Sequence, residues 1–238
     1  HALRLGLAVA GSALLLVMAQ QGVINRGIIW GQQQVITASA KAGLQLHDVT
    51  LTGRQVVSRE EILAALQITP QQPLMAIKME EAAQRLRQLP WVKDVRLQRI
   101  WPNRLHVELR ERQPVALWQQ RGNIQLVDGD GKILPHENPA SMANMVLLVG
   151  SNAPQRLPEL YAMLAPYPEL QQQLDAASWI GGRRWDMRLK NGISVKLPEH
   201  RAPQMLARLA RLNEEQQLLQ RQITQIDLRL PDRIVLRT

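Results

Sequence analysis

Apolar and polar positions alternate strictly over two neighbouring stretches. Val95 and Leu97 alternate with Arg96 and Gln98, and Leu105, Val107 and Leu109 alternate with His106, Glu108 and Arg110. Trp101-Pro102-Asn103 lies between them. A period of two marks strands with one buried and one wet face. The pattern predicts an antiparallel hairpin with Arg96, Gln98, Glu108 and Arg110 on its solvent side.

The residues before the hairpin complete a small unit. Leu46, Val49 and Leu51 predict a strand ending at Gly53. Ser58-Arg59-Glu60-Glu61 reads as a capping box, with Val57 and Ile62 at the staple positions, and starts a helix running to about Leu66. After Pro70 and Pro73, Met79, Ala82, Ala83 and Leu86 share one face of a second helix, which Pro90 stops. The order is strand, helix, helix, strand, strand, with two helices over one sheet face.

Gln113-Pro114 marks a boundary, and shorter strands and turns follow. Residues 115–118, 124–127 and 145–149 read as strands, and Asp128-Gly129-Asp130-Gly131 as a turn. Residues 157–174 read as helix in two pieces, broken at Pro166 and Pro168. In residues 185–197 the register decides the turn. A two-residue Asn191-Gly192 loop would put the two apolar sets on opposite faces. A three-residue loop, Lys190-Asn191-Gly192, pairs Leu189 with Ile193 and predicts a type I turn with a Gly192 bulge. A helix over 203–219 follows, with Met205, Leu209 and Leu212 on one face. Ile226, Leu228 and Leu230 then alternate, Pro231-Asp232 turns the chain, and residues 234–237 are extended.

Residues 5–19 are uncharged, with Leu5, Leu7, Val9, Leu14, Leu15, Leu16 and Val17 as the large apolar members. Counting Ala2 and Leu3, with Arg4 reaching the headgroups, the run approaches the ~20 residues that span a bilayer. A membrane anchor over 1–22 is the expectation, followed by a helical juxtamembrane linker over 23–43 with Trp30 at the interface. A cleaved signal peptide ending near Ala19 and a buried soluble helix are the alternatives. The second is disfavoured because the run is apolar on all sides. The chain opens on His1, so a preceding segment is expected, and the Lys/Arg rule gives no orientation without it.

Composition narrows the chemistry. The net charge of +9 admits anionic partners. Lys and Arg are interspersed with Asp and Glu, and neither aromatic base-stacking runs nor Cys/His fingers occur, so nucleic acid is not expected. With no cysteine, disulfides and thiolate metal sites are excluded. The five histidines are scattered, and no nucleophile elbow, P-loop or dinucleotide motif occurs. Glu60-Glu61, Glu80-Glu81 and Glu214-Glu215 are adjacent, and adjacent helical side chains diverge by about 100°. They read as solvated, the first two as helix-start carboxylates. The turn at Asp128 resembles the start of a calcium loop, but its twelfth position is Pro139, where Glu is needed. Trp91, Trp101, Trp118 and Trp185 read as core plugs at strand ends. No catalytic residue, cofactor or small-molecule substrate is expected. The remaining positive signal is a sheet edge: a last strand over 234–237 can accept a partner's strand.

The chain resembles the bacterial cell-division family FtsQ/DivIB. The likeness is carried by Val49-Thr50-Leu51-Thr52-Gly53, Ser58-Arg59-Glu60-Glu61-Ile62, Leu89-Pro90-Trp91-Val92, Trp101-Pro102-Asn103-Arg104-Leu105 and Glu111-Arg112-Gln113-Pro114-Val115-Ala116. The resemblance implies an α+β fold: an N-terminal transmembrane helix, a POTRA domain (β-α-α-β-β) over 44–112 and a mixed β-sheet domain with flanking helices over 113–238. It implies a non-enzymatic scaffold in the cell inner membrane at the septum, single-pass, with its bulk in the periplasm. The partners implied are FtsB and FtsL. Ile226-Asp227-Leu228-Arg229 matches a family stretch, and the resemblance carries the partner site onto Arg229, Leu230, Asp232, Arg233, Ile234, Val235, Leu236 and Arg237. The chain departs from the family at Leu230-Pro231, where relatives have an aromatic residue and a looser turn. A POTRA-bearing transport component and a secreted wall-binding protein are the alternative functions.

Overall fold

The protein was analysed as a computed structural model that describes residues 43–136 and 144–238. The chain divides into two compact units at Glu111/Arg112. The expected anchor, Leu5 to Val17, lies outside the described residues. Among those, no helix is long and apolar enough to cross a membrane.

The first unit contains β1 (Asp48–Thr52), α1 (Arg59–Leu66), α2 (Met79–Arg87), β2 (Val92–Ile100) and β3 (Arg104–Glu111). Its sheet has the order β1-β3-β2, with β1 parallel and β2 antiparallel to β3. The capping box forms: Glu61 N–H donates to the Ser58 hydroxyl (3.1 Å), and the Glu61 carboxylate accepts from Ser58 N–H (2.9 Å). Period-two alternation sets the hairpin register, pairing Val95 with Leu109 and Leu97 with Val107. Leu105, Val107 and Leu109 pack inward with Ile62, Leu66 and Leu86 of the helices. Gly53 ends β1 at φ +76°, and a Cβ there would lie 2.0 Å from the Leu109 carbonyl oxygen. Only glycine fits both the conformation and the space.

One residue of this unit departs from expectation, and another makes a contact that the pattern does not name. Trp101, expected as a core plug, is 52% exposed in the turn between β2 and β3. Trp91, Trp118 and Trp185 are buried. Glu111, in phase with Leu105, Val107 and Leu109, points to the inner face. Its carboxylate accepts from the main-chain N–H groups of Val56 (2.9 and 3.1 Å) and Val57 (2.9 Å). A buried carboxylate is tolerated where donors replace its water.

The second unit contains β4 (Pro114–Gln120), β5 (Asn123–Asp128), β6 (Ile133–Leu134), β7 (Val146–Val149), α3 (Ala153–Leu164), α4 (Pro168–Gln172), β8 (Leu174–Ile180), β9 (Arg184–Leu189), β10 (Ser194–Lys196), α5 (Ala202–Gln216), β11 (Gln225–Asp227) and β12 (Val235–Arg237). These strands form one mixed sheet in the order β12-β11-β10-β9-β8-β7-β4-β5-β6. Parallel pairing joins β4 to β7, β7 to β8 and β10 to β11. Leu157, Leu160, Leu164, Leu206 and Leu209 of α3 and α5 share one core with Leu148, Ala177, Val195 and Ile226 of the sheet.

The three-residue β9–β10 loop forms as the register argument requires. Leu189 N–H donates to the Ile193 carbonyl (2.9 Å), Gly192 N–H donates to the Leu189 carbonyl (2.8 Å), and Gly192 has φ +89°. The helical reading of residues 157–174 needs correcting: α3 begins at Ala153, and Leu174 opens β8. That strand, Leu-Asp-Ala-Ala-Ser-Trp-Ile, is poor in β-branched residues. Its place inside the sheet, between β7 and β9, overrides its local propensity. The last helix also ends earlier than expected. Gln217 adopts φ +50°, and Leu218 and Leu219 turn into the core.

Candidate partner-binding edge

Three local features build the end of the sheet. β10 and β11 are parallel, so α5 must cross between them, as parallel pairing demands. Met205, Leu206 and Leu209 of α5 pack over Ile226 and Leu228, all of them buried. Residues 228–234 then reverse the chain, and β12 returns antiparallel to β11 with Asp227 opposite Val235, Ile226 opposite Leu236 and Gln225 opposite Arg237. No described strand pairs with the outer side of β12.

The direction of each main-chain group on β12 follows from bonds one strand inward. Ser194 N–H donates to the Thr224 carbonyl (3.0 Å), and Leu228 N–H donates to the Lys196 carbonyl (2.9 Å). Main-chain groups alternate sides from residue to residue along a strand. Ile226 therefore faces β10, whereas Gln225 and Asp227 face β12. Their partners Arg237 and Val235 turn N–H and C=O inward, and the Arg237 carbonyl also accepts from Thr224 N–H (2.8 Å). Leu236 is the residue of β12 whose N–H and C=O face outward.

The side chains around this edge form a mixed surface. Leu230, Val235 and Leu236 are 41%, 37% and 42% exposed. Asp232, Arg233 and Arg237 are also exposed, and Ile234 is half-buried. Arg229 is clasped to Asp227: Nη2 donates to Oδ2 (2.6 Å) and Nε to Oδ1 (2.9 Å), while Arg229 N–H donates to Oδ1 (3.0 Å). Hydrogen bonding by Arg229 holds the Asp227 carboxyl below the usual carboxylate range. A ≈ 290 Å³ cleft runs between Asp232–Leu236 and the α5 residues Arg208, Leu212 and Gln216. The residues expected at the partner site thus lie together at one sheet end. Sequence reasoning missed the α5 wall of this cleft, although Arg208 and Leu212 stand four apart on one helix face. Among the described residues no group of three or more His, Asp or Glu side chains could hold a metal ion.

Residues 44–112 match the family described as "POTRA domain, FtsQ-type", and residues 116–229 match "Cell division protein FtsQ/DivIB, C-terminal". The second match stops before β12. A cell division protein FtsQ of Rhizobium radiobacter is 38% identical over 176 residues, covering 74% of this chain and 84% of the relative. Another, of Rhizobium meliloti, is 32% identical over 225 residues, covering 94% and 72%. The chain belongs to the FtsQ/DivIB family. The FtsQ of Agrobacterium fabrum is 36% identical over 197 residues, covering 83% of this chain. The chain spans 62% of that relative's length and 57% of the FtsQ of Bradyrhizobium diazoefficiens. As in the FtsQ/DivIB matches, the POTRA-type unit precedes the mixed-sheet unit.

Proposed function

We propose that this FtsQ/DivIB-family chain is a non-enzymatic scaffold of the divisome. It is anchored in the inner membrane through residues 1–22, with both units in the periplasm at the septum. It binds FtsB, and FtsL with it, and so helps control septal peptidoglycan synthesis. Binding proceeds by strand addition to β12: a partner backbone bonds to the outward N–H and C=O of Leu236, and Arg229, Leu230, Asp232, Arg233, Ile234, Val235 and Arg237 frame it. The observation that carries this reading is the position of β12 at the end of the nine-stranded sheet, with its outer side unpaired among the described residues.

Capture of FtsB by the detergent-solubilised chain tests the reading. Truncation after Asp232 is expected to abolish capture and leave the first unit folded. Undiminished capture by the truncated chain would reject strand addition at this edge.

A further inference from the structure

We propose that the Trp101 end of the first unit docks on the bilayer surface, with Trp101, Ile100 and Met75 seated in the interfacial layer. This rests on the anchor reading above.

Among its described residues the first unit exposes four large apolar side chains, Val56, Met75, Ile100 and Trp101, the last at 52%. Hydrogen bonds gather three of them at one end. Ile100 and Trp101 stand where β2 turns towards β3. Next to them, Arg99 Nε donates to the Leu74 carbonyl (2.9 Å) and Nη2 to the Ile77 carbonyl (2.6 Å), bracketing the short turn that carries Met75. Val56 is tied to Glu111 at the other end of β3, about 20 Å away for a strand of this length.

The chain joins the unit at this same end. Leu74 N–H donates to the Leu44 carbonyl (2.9 Å), and His47 N–H donates to the Asn103 carbonyl (2.9 Å). The first described residues of the unit, at Leu44, therefore stand beside Met75 and the Trp101 turn. With the proposed anchor at residues 1–22 joined to the unit through Leu44, the bilayer is held at high effective concentration near this patch, which favours lipid over a diffusing protein as occupant. The residue types fit. Indole prefers the interface, where its ring meets acyl chains and its N–H meets water. The exposed Arg104, its guanidinium 4.0 Å from Asp48, stands beside the patch and can reach headgroup phosphate.

Fluorescence quenching by brominated acyl chains tests this, with the 238-residue chain reconstituted into phosphatidylcholine–phosphatidylglycerol vesicles. Trp30→Phe is the background, because Trp30 is expected at the same interface. The quenchable emission is expected to disappear with Trp101→Phe and to fall when Met75→Ser and Ile100→Ser are combined with Trp101 retained. Val56→Trp, in the Trp101→Phe background, is expected to stay unquenched. Equal quenching with and without Trp101, or quenching at Val56→Trp, overturns the proposal while the anchor stands. A chain that fails to float with the vesicles overturns both.

Discussion

Arg229 folds back on Asp227, two residues earlier, and closes a two-point ion pair at the end of β11. The pair ties the start of the return loop to the last inward-facing rung of the sheet, because Asp227 stands opposite Val235. Arg229 holds the Asp227 carboxyl below its ordinary range. A carboxyl depressed in the folded state contributes stability above its unfolded value, and that contribution is lost as pH falls through the folded value. Asp227→Asn is expected to cost about 1 kcal/mol at neutral pH, small because the Arg229 side chain is 45% exposed. Urea denaturation across the acid range checks this: the gap between wild type and variant should close as Asp227 protonates.

The alternation along β12 separates two proline substitutions. Val235→Pro removes an N–H turned towards β11, so the Gln225 and Asp227 amides are expected to lose protection from hydrogen exchange. Leu236→Pro removes the outward donor and is expected to leave those amides protected while weakening FtsB capture. Equal loss of protection in both variants would contradict the assigned directions.

In the first unit, Glu111 offers a clean test of a buried acceptor. Glu111→Ala strands the Val56 and Val57 N–H groups. A destabilisation of about 2 kcal/mol is expected, read as a lower urea midpoint with unchanged slope. Glu111→Gln keeps one acceptor oxygen and should recover part of the loss.

Asp128 plays the corresponding part in the second unit. It is 2% exposed and pairs with Arg112 at 2.5 Å, while its other oxygen accepts from Asp130 N–H (3.0 Å) and Lys132 N–H (2.8 Å). Asp128→Ala leaves the half-buried Arg112 guanidinium with Asp130 alone and strands the Asp130 and Lys132 N–H groups, and a loss of about 2 kcal/mol is expected. Faster amide exchange at Asp130 and Lys132 would localise the damage to the turn.

The first unit was largely legible in the sequence, because each element there is specified locally. Ser58 and Glu61 cap α1, Pro90 follows α2, and strict alternation sets the β2–β3 register. In the second unit the β9–β10 turn was legible for the same reason, since one register aligns Leu189 with Ile193. β8 was not. Ala176 and Ala177 carry no strand signal, and only their flanking strands make that segment extended. The inward side of Glu111 follows from its phase with Leu105, Val107 and Leu109, but its main-chain donors and the exposure of Trp101 were hidden, because residue type says nothing of which neighbours supply donors or cover. At the candidate edge, the alternation of Ile226 and Leu228 located β11. The outward residue of β12 emerged only from hydrogen bonds on the strand before it.

The brevity of β12 has a consequence for how firmly anything can be held there. One outward rung, at Leu236, gives a visiting backbone few ladder bonds, each contributing little net free energy in water. Under the proposed strand addition, a partner would therefore draw most of its grip from side chains in the neighbouring cleft, and such a complex would come apart quickly. The same shortness discourages two copies of this chain from zipping edge to edge at high local density.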